Sequence, residues 1–183
     1  MLGSFLFSDI FKNMLSIIDR KKYEFKNIFK DALTYQLLLQ SKMRKTILNN
    51  GLRVLYKQNN SDIITINVSV LVGSNNESQK ELGICHFMEH MMFEGTKSRS
   101  SLQLSSEIER YGGEMNAYTS NEKTNYFIKI HKRRAKKAIE ILADMMINPL
   151  FDEKAIKKEK NVVIEEINMV NDNPRQYQWM LLG

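Results

Sequence analysis

The sequence predicts an α+β fold, an antiparallel-rich sheet with helices packed on one face, on three observations. Ile64, Ile66, Val68, Val70 and Val72 alternate with Thr65, Asn67, Ser69 and Leu71, the period-two pattern of a strand buried on one side. Ala135, Ala138, Ile139, Leu142 and Met146 recur at the spacing of an amphipathic helix. The two kinds of segment come in blocks (strands, helices, strands, helices) rather than in the strict alternation of a doubly wound parallel sheet.

The elements follow in order. Runs 45–48 and 52–57 are short strands, and Asn49-Asn50-Gly51 between them is a hairpin turn signal. The alternating strand 64–72 ends at Gly73-Ser74-Asn75-Asn76. Helices are predicted from Leu82 to Phe93 and from Ser100 to Arg110, the second broken by Gly112-Gly113. Strands 115–120 and 124–131 meet around Asn121. The amphipathic helix from Arg133 to Ile147 stops at Asn148-Pro149. Asp152 is the expected N-cap of a last helix reaching about Asn171, with Pro174 close behind.

The chain's 183 residues suffice for one domain with its own core, and its apolar (43%) and charged (26%) shares are those of a soluble globular protein. The net charge of +6 raises the question of nucleic acid. Its basic residues are spread along the chain, and the densest run, 129–137, fits the solvated face of a helix; without a recognition motif, no nucleic-acid partner is expected. A single cysteine, Cys85, excludes an intrachain disulfide framework. No stretch approaches 18 uninterrupted apolar residues, so no transmembrane segment is expected. Residues 1–42 do not follow a secretory pattern, because Asp9, Lys12 and Asn13 interrupt the apolar clusters of 1–18 and no basic n-region or small-residue cleavage site is present; nor do they suit an acid-poor transit peptide, because they contain Asp9, Asp19, Glu24 and Asp31. They are expected to be an appendage, helical or poorly ordered, outside a structural unit spanning 43–183.

One predicted helix carries chemistry. His86, Glu89 and His90 form H-x-x-E-H among Ile84, Phe87, Met88, Met91, Met92 and Phe93. Positions i and i+4 lie on one helix face, so both imidazoles can reach one metal ion, and Glu89 shares that face without needing to be a ligand. This is what a metallopeptidase requires: a metal that activates water and polarises a carbonyl, and a carboxylate that moves the proton. Two histidines and a glutamate on an apolar central helix are costly unless paired or liganded.

Catalytic zinc ordinarily takes three protein ligands. His131 is the only other histidine and precedes a basic run. Glu159 and Glu166 are two turns apart on the last helix, on one face with Val163 and Val170, which points that face inward. Glu166 is taken as the third ligand and Glu159 as the residue orienting a histidine or the metal, although helix geometry alone does not order the two. Glu165 falls about 100° round the helix and is expected to be solvated.

Segments 83–96 (GICHFMEHMMFEGT), 112–119 (GGEMNAYT) and 159–166 (EKNVVIEE) together resemble the pitrilysin/insulinase, or inverzincin, family of zinc peptidases, in its processing-peptidase-like branch. The resemblance covers the chain from about Met43 onward. It implies a metallopeptidase half-domain with one Zn2+ per chain on His86, His90 and Glu166, with Glu89 as general base and Glu159 behind the ligands. It also implies that the strand 114–119 is an edge to which a peptide substrate adds, Asn116 and Ala117 lying nearest the scissile bond. Cys85 stands where the family more often has a small residue such as alanine. The family builds a closed chamber from two similar domains, so the resemblance implies a second homologous domain or chain. On that reading the unit is incomplete at its C-terminus: a fragment, or half of a split enzyme acting on unstructured peptides or presequences. The alternative implied is a non-catalytic structural homologue.

Overall fold

The computed structural model describes residues 43–174; the expectation for 1–42 lies outside the described residues, as does the stretch 175–183. The elements are β1 (Arg44–Ile47), β2 (Arg53–Tyr56), β3 (Ile63–Val70), α1 (Ile84–Met91), α2 (Ser101–Glu109), β4 (Glu114–Thr119), β5 (Thr124–His131), α3 (Ala135–Ile147) and α4 (Glu153–Asp172). Short 3-10 turns, Ser74–Asn76 and Lys132–Arg134, lead towards α1 and into α3.

β1 and β2 pair antiparallel as a hairpin, closed by an Asx turn in which Leu52 N–H donates to Asn50 Oδ1 at 2.8 Å. This hairpin is a sheet of its own. The main sheet is antiparallel in the order β3-β5-β4, with β5 central. Its register sets Ile66 and Met115 on either side of Ile128, and Val68 and Ala117 on either side of Tyr126. That row of apolar side chains is one face of the sheet, and α1, α2 and α3 pack against it. Ile128, Ile130, Ile141, Leu142 and Met145 are fully buried between the layers. The opposite face carries Thr65, Asn67, Asn116, Tyr118 and Lys129, which are exposed. The α+β class with helices on one face is therefore what the structure has. Among the described residues β4 is paired on one side only, which makes it an edge.

The segment following α1 is pinned to α3 by a partly buried polar node. Thr96 Oγ1 and Ser98 Oγ each donate to Asp144 Oδ2 at 2.7 Å, and the Arg99 guanidinium joins them. Burial alone would raise the Asp144 carboxyl, but the hydrogen bonds from Ser98, Asn148, Thr96 and Arg99 hold it below its ordinary value.

The last helix differs from the rest. Asp152 caps α4 as expected, its Oδ2 accepting from Lys154 N–H and Ala155 N–H. The helix then packs chiefly on α1. Val163 is buried, but Val170, expected on the inward face, is 37% exposed. The reason is length: at 1.5 Å per residue the 20-residue α4 is about 30 Å long, and the 8-residue α1 that covers it is about 12 Å.

Candidate metal centre

The helix that presents the two histidines is held at its start by a carboxylate from outside it. Glu77 Oε2 accepts from Gly83 N–H at 2.8 Å and Oε1 from Cys85 N–H at 2.9 Å, so one anion satisfies two orphan donors at the helix N-terminus. Gly83 takes φ +86°, a left-handed conformation open to glycine without strain. Gly73 is needed for another reason. A Cβ there would lie 2.1 Å from the Ser120 carbonyl oxygen, so glycine lets the exit of β3 pass close under the β4–β5 turn. Cys85 is buried and its thiol points to the Gly73 carbonyl at 3.4 Å. Burial, with a contribution from Glu77, pushes that thiol up to about 12, which keeps it protonated. It is not among the grouped donors.

Three of the residues singled out in the sequence converge. His86 Nε2 and His90 Nε2 are 3.3 Å apart, and Glu166 Oε2 is 3.6 Å from each. The two rings stand edge to face, 87° between planes, so their Nε2 atoms meet rather than stack. Zinc bonded at 2.0–2.1 Å to ligands in tetrahedral array separates them by about 3.3–3.4 Å, so this donor triangle fits such an ion with little movement. All three residues are half-buried, leaving a side open for a further ligand.

Glu159 stands one shell back. It is buried, and its Oε2 lies 3.2 Å from His90 Nδ1 while its Oε1 meets Lys158 Nζ at 3.0 Å. A carboxylate facing Nδ1 assigns the proton to that nitrogen and leaves the Nε2 lone pair for a metal. Burial would raise the Glu159 carboxyl; the Lys158 ammonium and the His90 ring outweigh it and hold the group below its ordinary value. Lys158 Nζ also reaches Glu94 Oε1 at 3.0 Å, just beyond α1, so an ion-pair bridge runs beside the site.

Glu89 is half-buried on α1, and its Oε2 accepts from Thr119 Oγ1, on the edge strand, at 2.6 Å. On the same strand Asn116 is exposed, and its Oδ1 accepts the Ala117 N–H at 2.8 Å. His131 lies at the other end of β5, its Nδ1 accepting from Arg133 N–H at 3.2 Å, and takes no part in the donor group. Glu165 is exposed. Sequence reasoning missed Glu77 and Thr119. The threonine closes the GGEMNAYT segment, which was the available signal; nothing local marks Glu77 as the cap of a helix that starts seven residues later.

The sequence model of the insulinase family, peptidase family M16, matches residues 53–182. The chain belongs to that family. Within M16 its relatives set it in the processing-peptidase-like branch. It is 44% identical over 128 residues to an uncharacterized zinc protease of Rickettsia felis, covering 69% of this chain and 31% of that protein. To the mitochondrial-processing peptidase subunit beta of the mouse it is 42% identical over 128 residues, 70% of this chain and 26% of that one. The crystal structure of a protease from Helicobacter pylori superposes with a TM-score of 0.71 at 31% identity, over 75% of this chain and 34% of the other. The chain thus spans about a third or less of the length of these relatives. Two strands of observation therefore meet: zinc is the metal named for M16 relatives, and the donor set here suits it. Among the described residues no helix is long and apolar enough to cross a membrane.

Proposed function

We propose that this chain is the metal-bearing part of a zinc-dependent endopeptidase that hydrolyses peptide bonds in unstructured peptides or presequences. The single observation that carries the reading is the triangle of His86 Nε2, His90 Nε2 and Glu166 Oε2, with Glu89 on the same helix beside it. One Zn2+ per chain would be held by these three residues. Zinc bound there supplies a Lewis acid that polarises the scissile carbonyl and makes a water acidic enough to attack near neutral pH. Glu89 accepts a proton from the attacking water on its carboxylate and delivers it to the departing amine, ending in its starting state. Glu159 keeps His90 in the tautomer that offers Nε2. The peptide backbone lies along the free edge of β4, where Asn116 and Ala117 bind it: a substrate carbonyl can replace Asn116 Oδ1 as the acceptor of the Ala117 N–H. Backbone pairing of this kind favours extended, unfolded chains and makes few demands on their sequence.

Glu89→Gln tests the proposal. Zinc content near one per chain is expected to persist, while cleavage of an unstructured peptide falls by about two to four orders of magnitude. Cleavage at the wild-type rate by pure Glu89→Gln protein would sink the assignment.

A second reading is favoured by the coverage of the relatives and by the uncovered half of α4. Ile164, Ile167 and Met169 are exposed there, a surface suited to a second homologous domain or chain that completes the enzyme. On that reading the described unit binds zinc and cleaves peptides only with its partner, or serves as a non-catalytic structural homologue. Zinc binding without cleavage, with activity restored by the longer polypeptide or a partner chain, distinguishes the split enzyme from both alternatives.

A further inference from the structure

We propose that Thr119 is a positioning residue for Glu89, so that the edge strand offered to a peptide also aims the base that acts on it. This rests on the reading of Glu89 as general base. Thr119 closes β4 directly opposite Thr124 on β5. The two hydroxyls go separate ways. Thr124 Oγ1 donates to the Val72 carbonyl at 3.0 Å and ties the sheet to the exit of β3, whereas Thr119 Oγ1 reaches across to α1 and donates to Glu89 Oε2 at 2.6 Å. A separation of this size is that of an O–H donor on an ionised carboxylate, about twice as strong as a neutral pair.

The rest of the Glu89 carboxylate has no other hydrogen-bond or ion-pair partner among the described residues. A glutamate side chain is among those with the most rotamer freedom, so without Thr119 the base would sample orientations that do not face the attacking water. With it, Oε2 is engaged and Oε1 is left to take the proton. The position of the threonine adds a second consequence. Ala117 is two residues back along the same strand, about 7 Å at 3.3–3.4 Å per residue. A peptide paired at Ala117 is therefore placed in a set register to the base through one short piece of backbone. The same strand locates both reactants.

The test compares Thr119→Val, Thr119→Ala and Thr119→Ser with the wild type, each in its zinc-loaded form and in the polypeptide that shows wild-type activity. Crystal structures of the zinc-loaded proteins give the readout that needs no turnover. Glu89 is expected to hold one conformation bonded to residue 119 in the wild type and in Thr119→Ser, and to leave it in the valine and alanine variants. Kinetics give the second readout: kcat falls about 10- to 100-fold in the valine and alanine variants, with KM within about twofold, and serine restores it. Thr124→Val serves as the control, and is expected to lower stability while leaving kcat unchanged. Glu89 in its wild-type conformation in both valine and alanine variants, or serine as impaired as valine, overturns the proposal. A wild type that takes up no zinc overturns the metal-centre reading itself, a separate failure.

Discussion

The two helices that meet at the candidate metal centre are held in contrasting ways. α1 is short, lies against the sheet, buries Cys85, Met88 and Met91, and has its N-terminus tied down by Glu77. α4 is more than twice as long, is capped by its own Asp152, and, among the described residues, buries only Glu159 and Val163 along its length. Its contact with the remainder of the described structure runs chiefly through α1. The histidines thus sit on scaffold, and the carboxylates arrive on an element whose docking is concentrated at the site. A metal shared by His86, His90 and Glu166 would therefore be a staple between the two helices as well as a catalytic group.

That contrast can be broken in several places, beginning with the largest effect. Ile128 lies fully buried under the helices and Ile167 is 47% exposed on α4. Truncating each to alanine is expected to cost about 2–5 kcal/mol at Ile128 and below about 1 kcal/mol at Ile167, read from denaturant unfolding. Comparable losses would show that α4 is integrated as deeply as β5.

Zinc comes next. A metal bound at about a thousand times its Kd adds about 4 kcal/mol to the state that binds it. Chelation is expected to remove amide hydrogen-exchange protection from residues 159–172 while leaving β5 protected. Uniform loss across the molecule would contradict the staple.

Smaller effects sit at the helix ends and in the polar node. Glu77→Ala frees two N–H groups at the start of α1 and is expected to lower the melting temperature of the whole unit, at about 1–2 kcal/mol. Asp152→Ala, a loss of similar chemistry on α4, is expected to show mainly as local exchange in that helix. Asp144 sets a pH dependence. Its carboxyl is held below the ordinary value of 3.8, so its contribution is complete above about pH 4 and disappears as pH falls through the lower folded-state value. Asp144→Asn should flatten stability against pH in that acid window and leave neutral pH less stable; an unchanged acid limb would remove Asp144 as its source.

The same division governs what could be read from sequence. Elements with a strong period and clear punctuation, such as β5, α3 and the capped start of α4, have the predicted extents to within a residue or two, because local pattern and burial agree there. H-x-x-E-H is local too, so the facing of His86 and His90 follows from helix geometry alone. Glu159 and Glu166 were legible as a same-face pair, but their order depends on how α4 leans on α1, a tertiary fact. Val170 misled because periodicity reports which face is apolar and says nothing of how far the covering element extends. Glu77 and Thr119 act across loops and between layers, where no spacing rule reaches. The register that sets Thr119 over Glu89 is legible only once β4 is paired with β5 and packed on α1.

The most direct test of the central claim measures equilibrium zinc affinity in Glu166→Gln and Glu159→Gln beside the wild type. The wild type is expected to bind one zinc, Glu159→Gln to lose about 10- to 100-fold through the His90 hydrogen bond, and Glu166→Gln to lose more than that by removal of a donor. Wild-type affinity in Glu166→Gln, or a larger loss in Glu159→Gln than in Glu166→Gln, would contradict a centre built from His86, His90 and Glu166.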